Sequence, residues 1–258
     1  MQKAHKLKLT YIGGPTLLIE FGNLRLLTDP TFDPPGDYVN GPASLSKTKA
    51  PALDASTIGG VDAVLLSHDH HPDNLDHAGR KFLSSAKTVV TTQEGAERLQ
   101  GNSVGLAPWQ SLELVSQDGK ILRVIGTPAR HGPENGDRGP VLGFILAYDE
   151  SPEDPIYISG DTVWYEGVQE ILQRYPHIRV AVIFLGAARI PILPSHLTFT
   201  AQEGVLVASA LPQATIVPVH FEGWKHFSES KQEVSQAFAE AGLEDQLLWL
   251  TPGQATAV

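Results

Sequence analysis

The chain carries four of its ten histidines within ten residues, directly after a largely apolar stretch, Val61–Leu66, that is typical of a buried strand. From Ser67 to His77 the sequence reads SHDHHPDNLDH, so imidazoles and carboxylates are interleaved. Gathering such side chains at the end of a strand is costly unless they bind something. A transition-metal ion is the ligand that both groups share. The run therefore predicts a metal site.

Three further apolar segments lead to a residue that can bind a metal. They end at His131, Asp161 and His220. Strand ends at one edge of a sheet converge in space, so these side chains are expected to meet the first run. One metal needs three or four ligands, and a larger set indicates two metals bridged by a carboxylate such as Asp161. The candidate ligands from these segments are His68, His70, Asp73, His131, Asp161 and His220.

The elements that position these residues follow from apolar periodicity. Two strands, Thr16–Phe21 and Leu24–Thr28, flank the turn Gly22-Asn23 and predict a hairpin. Residues 30–60 predict a long loop, and a short helix is predicted to start near Asp73. In the second half, strands and helices alternate and end in a strand over Gln246–Leu250. We expect two sheets packed together with helices outside.

These motifs resemble those of the metallo-β-lactamase superfamily. His68-Asp69-His70 matches the start of its His-x-His-x-Asp-His signature, and His131 and His220 match its two later histidines. Gly160-Asp161-Thr162 matches its bridging aspartate. The branch it is most similar to holds ascorbate-6-phosphate lactonase and N-acyl phosphatidylethanolamine phospholipase D. The resemblance implies an α+β fold, a four-layer αββα sandwich, in one domain over residues 1–258.

The sequence departs from the signature after His70. The family places Asp and then His after one spacer residue, whereas this chain has His71-Pro72 before Asp73-Asn74. A one-residue insertion leaves Asp73 in the Asp place and puts Asn74 where His is expected. Without it, Pro72 takes the Asp place and Asp73 the His place. His71 is then an alternative ligand, so the second metal site is open in both occupancy and identity.

The chain has no cysteine, so a metal must bind through nitrogen and oxygen. We expect two divalent ions, zinc first, with manganese, iron or nickel as alternatives. Such a pair lowers the pKa of a shared water toward about 7, and the resulting hydroxide attacks a carbonyl or phosphorus centre. Members of the branch that this chain resembles hydrolyse esters, lactones or phosphodiesters, so the resemblance implies a substrate of one of these classes. Two such ions outweigh the two aspartates and the hydroxide in charge, which favours an anionic small-molecule substrate. Asp73, His196 and His226 are the candidate catalytic residues.

Other functions remain open at this point. They are a di-iron redox protein, a nuclease of the same superfamily and a non-catalytic metal-binding protein. The net charge of −10 disfavours nucleic-acid binding. No apolar run approaches the roughly 20 residues of a membrane span, and no signal peptide is recognised, so a cytoplasmic protein is expected. The oligomeric state is not predicted.

Overall fold

The computed structural model describes residues 5–39, 44–134, 138–191 and 193–258. Most strands belong to two large sheets, and a separate hairpin lies over part of the predicted loop 30–60. Residues 40–43 of that loop lie outside the described ranges. The strands are β1 Leu7–Gly13, β2 Thr16–Phe21, β3 Leu24–Thr28, β4 Gly36–Tyr38, β5 Leu45–Lys47, β6 Val61–Leu65, β7 Ala86–Thr92, β8 Ser103–Leu106, β9 Ser111–Val115, β10 Ile121–Pro128, β11 Leu142–Tyr148, β12 Ser151–Ile158, β13 Val180–Phe184, β14 Thr215–Val219 and β15 Ala255–Ala257.

The first sheet has seven strands in the order β15-β1-β2-β3-β6-β7-β8, and the second has six in the order β14-β13-β12-β11-β10-β9. Strands β4 and β5 pair only with each other. The pairs β3–β6, β6–β7, β12–β13 and β13–β14 are parallel, and helices connect most of them. The helices are α1 Ala55–Ile58, α2 His77–Phe82, α3 Gln93–Leu99, α4 Glu166–Arg174, α5 Ala201–Ala210 and α6 Lys231–Glu240.

The core lies between the two sheets. Leu9 and Phe21 of the first sheet and Phe144 and Tyr157 of the second belong to one buried cluster. The outer face of the first sheet packs on α1 and α2 through a second buried cluster, which includes Phe82 of α2. Helices α4, α5 and α6 bury their apolar faces on the second sheet. The arrangement is the four-layer αββα sandwich that was expected.

The helix starts follow from local sequence. Thr200 and Ser230 each accept a hydrogen bond from the backbone N–H of the glutamate three residues later, Glu203 and Glu233. Each glutamate side chain in turn accepts from the backbone N–H of its capping residue. Such reciprocal caps satisfy N–H groups that the first helical turn leaves without partners. Within the described residues, no helix is long and apolar enough to cross a membrane.

Two predicted elements are wrong. The segment Gln246–Leu250 makes a single bridge, from Leu247 to Ile216 on the edge strand β14, instead of a strand. Pro218, two residues beyond Ile216, faces the same edge and has no N–H to continue the ladder. The last strand is β15, which pairs with β1. The short helix predicted near Asp73 begins only at His77.

Gly160 forms the turn that carries the chain from β12 to Asp161. Its φ is +60°, and a Cβ at this position would lie 2.4 Å from the carbonyl oxygen of Leu142. Gly101 has a similar φ of +64° but nothing within 4 Å of its Cβ position. A side chain at Gly101 would therefore introduce backbone strain alone, whereas a side chain at Gly160 would introduce the same strain and a steric overlap.

We predict that Gly101→Ala lowers the free energy of unfolding by about 1 kcal/mol, the cost of a left-handed residue with a side chain. Gly160→Ala should cost a further 1–3 kcal/mol or so, because backbone atoms of β11 must shift. Urea denaturation of both variants measures the difference. Equal losses would show that the turn tolerates a side chain and that its geometry is not constrained by β11.

Candidate metal centre

The four predicted strand ends meet at one place. Ligand atoms of His68, His131 and Asp161 all lie within 4.8 Å of one another, and so do those of Asp73, Asp161 and His220. Asp161 belongs to both groups, which is the position that the sequence predicts for a bridging carboxylate. Strands β12 and β14 run parallel in the second sheet, so their carboxyl ends lie on the same side of it. The carboxyl end of β6, in the first sheet, lies beside them, and the residues that follow these strands meet there.

The histidines after β6 form a third group of possible ligands, His68, His70 and His71. His68 Nε2 lies 2.8 Å from His71 Nδ1. His70 Nε2 lies 2.9 Å from the backbone oxygen of Arg138. Both His70 and His71 therefore lie next to His68. His71 thus belongs to this group, whereas Asp73, an alternative to it as ligand of the second metal, belongs to the group with Asp161 and His220.

The residues after Pro72 occupy the other side of the centre. Asp73 Oδ2 lies 3.4 Å from His220 Nε2 and 3.0 Å from His226 Nε2. Asn74 is fully buried, with its amide nitrogen 3.4 Å from Asp161 Oδ1. The position that the signature assigns to a histidine thus holds an amide that faces Asp161, the carboxylate predicted to bridge. His226 is the nearest imidazole to Asp73.

These donors fit a cation. Several of their buried atoms have no hydrogen-bond partner among the described residues: Asp73 Oδ1, Asp161 Oδ2, Asn74 Oδ1, both ring nitrogens of His220, Nδ1 of His70 and Nδ1 of His226. Buried carboxylates and imidazoles without partners cost several kcal/mol in general, and a divalent ion at this position would satisfy them. The donor set is nitrogen and oxygen only, which suits zinc, manganese, iron or nickel.

Neighbouring groups orient the histidine rings. Ser67 lies between Asp29 and His68: its Oγ donates to Asp29 Oδ1 at 2.8 Å and lies 2.9 Å from His68 Nδ1. This leaves His68 Nε2 directed toward the centre. His131 Nδ1 lies 2.9 Å from the backbone oxygen of Leu197, so the other ring nitrogen, Nε2, is the one that can bind a metal. Such partners fix the tautomer of a ligating histidine and raise its basicity.

Two residues of the centre have strained backbones. Asp29 has a φ of 28° and His220 a φ of 56°, and neither is glycine. The backbone N–H of His220 donates to the carbonyl of Gly14 at 2.7 Å, which anchors the strained residue to the first hairpin. Left-handed residues with side chains cost of order 1–3 kcal/mol, and they occur mainly at functional sites.

Burial determines the charge of these groups in the metal-free chain. It lowers the pKa of His131 to about 4 and that of His71 to about 2, and it lowers the pKa of His68 and His220 as well. The imidazoles are therefore neutral at pH 7, the state in which they bind a metal. Burial, together with the charges of Asp73 and Asp29, raises the pKa of Asp161 well above its usual range.

A cavity of about 50 Å³ lies over the centre. Its polar side is formed by possible ligands, and His226 and Arg138 also line it. We call this space the inner cavity; it is lined by Leu45, His71, Pro72, Asp73, His131, Arg138, Ala188, Ile190, Leu197 and His226.

The structure does not bring His196 to the inner cavity. Its Nε2 lies 3.1 Å from Glu203 Oε2, on the capping glutamate of α5, so it fastens the loop before that helix. The sequence could not separate His196 from His226, because both follow strands in apolar loops. In this geometry His196 contacts the capping glutamate of α5 and does not line the inner cavity.

The sequence missed two contributors to the site. Arg138 lines the inner cavity, and the Leu197 carbonyl orients His131. Arg138 stands in a stretch rich in glycine and proline, and a backbone carbonyl leaves no trace in residue type. No sequence signal would have found either.

The chain matches the family model described as "Beta-lactamase superfamily domain" over residues 24–221. It is 24% identical over 257 residues to the UPF0173 protein YddR of Bacillus subtilis (strain 168), covering 94% of this chain and 96% of that protein. It is 25% identical over 254 residues to a UPF0173 metal-dependent hydrolase of Pyrococcus abyssi, covering 96% and 97%.

A solved structure shares the fold over nearly the full length. It is the crystal structure of an isothiocyanate hydrolase from Delia radicum gut bacteria, with a TM-score of 0.79 and 25% identity. The match covers 96% of this chain and 98% of that one. The superfamily and the αββα fold expected from the histidine and aspartate motifs are confirmed. The family model spans most of the chain, and the chain belongs to the β-lactamase superfamily, with the metallo-β-lactamase fold.

Proposed function

We propose that the chain hydrolyses an ester, lactone or phosphodiester with water activated at a divalent-metal centre. The broader class, metal-dependent hydrolase, is the one that curated relatives carry in their names, and it agrees with the expectation from sequence. The observation that carries the finer proposal is the set of buried carboxylate and imidazole atoms without partners beside a cavity.

We assign the residues that would hold the ions from the groups described above. His68 and His131, with His70 or His71, would hold one ion, and Asp73 and His220 the other. Asp161 would lie between them, since it belongs to both groups. Bound divalent ions, zinc first, would lower the pKa of water toward about 7 and offset negative charge on the reacting oxygen.

The side chains around the cavity supply the proton chemistry. His226 lines the inner cavity, and its Nε2 is 3.0 Å from Asp73 Oδ2. An imidazole held by a carboxylate can deliver a proton to the leaving oxygen as the bond to it breaks. Asp73 orients that ring, and the proposed catalytic roles of these two residues are thus retained.

The charges around the inner cavity support an anionic substrate. The loaded centre would carry net positive charge, and Arg138 is the cationic side chain among the residues lining the inner cavity. Arg130 instead stacks on Tyr165, and Arg189 is exposed, so neither is placed to bind the substrate. We propose a small-molecule substrate, a chain without nucleic-acid partners and a cytoplasmic location.

The alternatives predict different results on the same donors. A di-iron redox protein would show an iron absorbance spectrum and no chelator-sensitive hydrolysis. A nuclease would shift RNA mobility in a salt-dependent way. A non-catalytic metal-binding protein would lose stability on His131→Ala without any loss of turnover.

We predict that chelation abolishes hydrolysis and that adding back a divalent metal restores it. The assay uses a panel of lactones, esters, thioesters and phosphodiesters, with an isothiocyanate added because a structural neighbour hydrolyses one. Asp161→Asn should lower both bound metal, measured by elemental analysis, and kcat/KM, each by about a hundredfold or more. It should leave the metal-free chain at least as stable, because it removes a buried carboxyl group whose Oδ2 has no hydrogen-bond partner among the described residues.

The matched control is Asp118→Asn, since Asp118 is an exposed aspartate in the β9–β10 turn. It should change neither metal content nor turnover. Chelator-insensitive hydrolysis by the full chain would contradict the proposed function.

We predict that His226→Gln lowers kcat by about 10²–10⁴ while the metal content stays unchanged, because proton delivery is lost. The exposed His177, as His177→Gln, is the matched control and should leave kcat unchanged. His196→Gln should also retain kcat, since His196 lies outside the inner cavity. Loss of bound metal in His226→Gln would show instead that His226 is a ligand.

We predict that the metal-free chain loses stability as the pH falls from 6.5 toward 4. In this window the unfolded chain binds a proton on His131, whose pKa there is about 6.5, while the folded chain, with a pKa of about 4, does not. Above pH 6.5 no stability is lost through His131, and as the pH falls the loss grows to about 3 kcal/mol by pH 4.

Urea denaturation of the wild type and of His131→Asn at pH 7 and pH 4.5 isolates this contribution. Asp161 acts in the opposite direction, because its raised pKa favours the folded chain at low pH, but it is common to both proteins. Parallel pH profiles for the two proteins would contradict the assigned state of His131.

A further inference from the structure

The inner cavity has an apolar side that is separate from the core of the sandwich. Leu45, Ala188, Ile190 and Leu197 line the cavity and, together with Trp224, form a distinct buried cluster. Their exposed fractions are 9%, 2%, 6% and 4%. Leu45 belongs to the β4–β5 hairpin, and the other three belong to the loop between β13 and α5. Loop residues thus build a small apolar wall opposite the metal ligands.

A second, larger space lies on the other side of His71 and Pro72. These two residues line both spaces. The second space, which we call the outer groove, has a volume of about 320 Å³, and Asp37, Val39, His77 and Arg80 on its lining are exposed. Its polar lining carries both signs of charge, and the Asp37 carboxylate already accepts from the Ser46 hydroxyl at 2.6 Å.

The two spaces differ in what they can accept. The inner cavity is small, and its apolar wall of Leu45, Ala188, Ile190 and Leu197 can bury methyl and methylene groups beside the metal ligands. Its volume of about 50 Å³ is only a few times the roughly 10–15 Å³ of such space that one water requires, so it suits a short group. The outer groove has room for a larger polar group that keeps contact with solvent.

We propose that the substrate is a carboxylic ester whose acyl part is small, uncharged and apolar and lies in the inner cavity, while its polar alcohol part lies in the outer groove. This rests on the proposed hydrolytic function and narrows it to carboxylic esters, because it places an uncharged acyl group at the carbon that reacts. In the reaction, the water oxygen bonds to the acyl carbon and the bond from that carbon to the alcohol oxygen breaks. The alcohol takes up a proton, and the products are a short carboxylic acid and an alcohol.

The phosphodiester alternative fits the cavity less well. A phosphodiester carries a negative charge on the reacting group itself, and four of the inner-cavity residues around it belong to the apolar cluster. Arg138 is the one cationic side chain on the described lining of that cavity. Short acyl groups would instead bury their methyl and methylene groups against Ile190 and Leu197.

The test uses the metal-loaded full chain with p-nitrophenyl acetate, propionate, butyrate and octanoate, and with bis(p-nitrophenyl) phosphate. One leaving group throughout means that only the acyl or phosphoryl part differs. We expect kcat/KM to fall at least about tenfold from propionate to octanoate, because the cavity rejects extra methylenes. The phosphodiester should be hydrolysed more slowly than every short-chain ester.

Variants of the apolar wall test its role directly. Ile190→Ala enlarges the cavity and should raise the ratio of octanoate to propionate kcat/KM by about tenfold. Ala188→Val fills space and should lower propionate turnover relative to acetate, and it guards against a failure of Ile190→Ala to fold. Val115→Ala, at a 66% exposed position on the edge strand β9, is the matched control and should leave every ratio unchanged.

The outcomes separate this inference from the proposed function. Chelator-sensitive hydrolysis that favours octanoate or the phosphodiester, or ratios that Ile190→Ala and Ala188→Val leave unmoved, would overturn the inference and keep the function. Absence of chelator-sensitive hydrolysis for every substrate in both panels would overturn both.

Discussion

Buried carboxylate and imidazole atoms without partners impose the constraint on which the rest of this structure depends. Asp161 and His220 are fully buried, and Asp161 Oδ2 and both nitrogens of His220 have no hydrogen-bond partner among the described residues. Contacts such as that of His220 with Asp73 at 3.4 Å offset only part of the desolvation of these groups, and a bound cation would offset the rest. The fold can afford this arrangement because two sheets with a large shared core hold the strand ends in place.

The scaffold and the chemistry are thereby divided between different parts of the chain. Strand ends carry the metal-binding side chains, and backbone groups orient them, as the Leu197 carbonyl does for His131. Left-handed residues at Asp29 and His220 show that the backbone is held away from its preferred conformations at this point. Those conformations persist because hydrogen bonds to other strands, such as that from His220 N–H to the Gly14 carbonyl, determine them.

The loops above the centre carry a second kind of information. The described residues of the β4–β5 hairpin and of the loop after β13 belong to none of the candidate ligand groups, yet they contribute the apolar wall of the inner cavity. In the proposed function, chemistry and selectivity thus have separate origins: the strand ends would carry the metal ligands, and the loops would determine which substituent fits. This separation would let related chains keep one centre while they change substrates, since loops tolerate substitution better than the strand ends do.

The sequence alone determined which residues meet, because apolar strands that end in His68, His131, Asp161 and His220 leave few alternatives for a two-sheet fold. Local signals also placed the first hairpin and most helices. The roles of His71 and Asn74, the separation of His226 from His196 and the part played by Arg138 depended on tertiary structure. Those distinctions rest on how loops from distant strands pack over the centre, and no local pattern records such contacts. For the same reason β15 was missed and Gln246–Leu250 was predicted wrongly, since pairing at a sheet edge depends on which backbone donors the neighbouring strand leaves free.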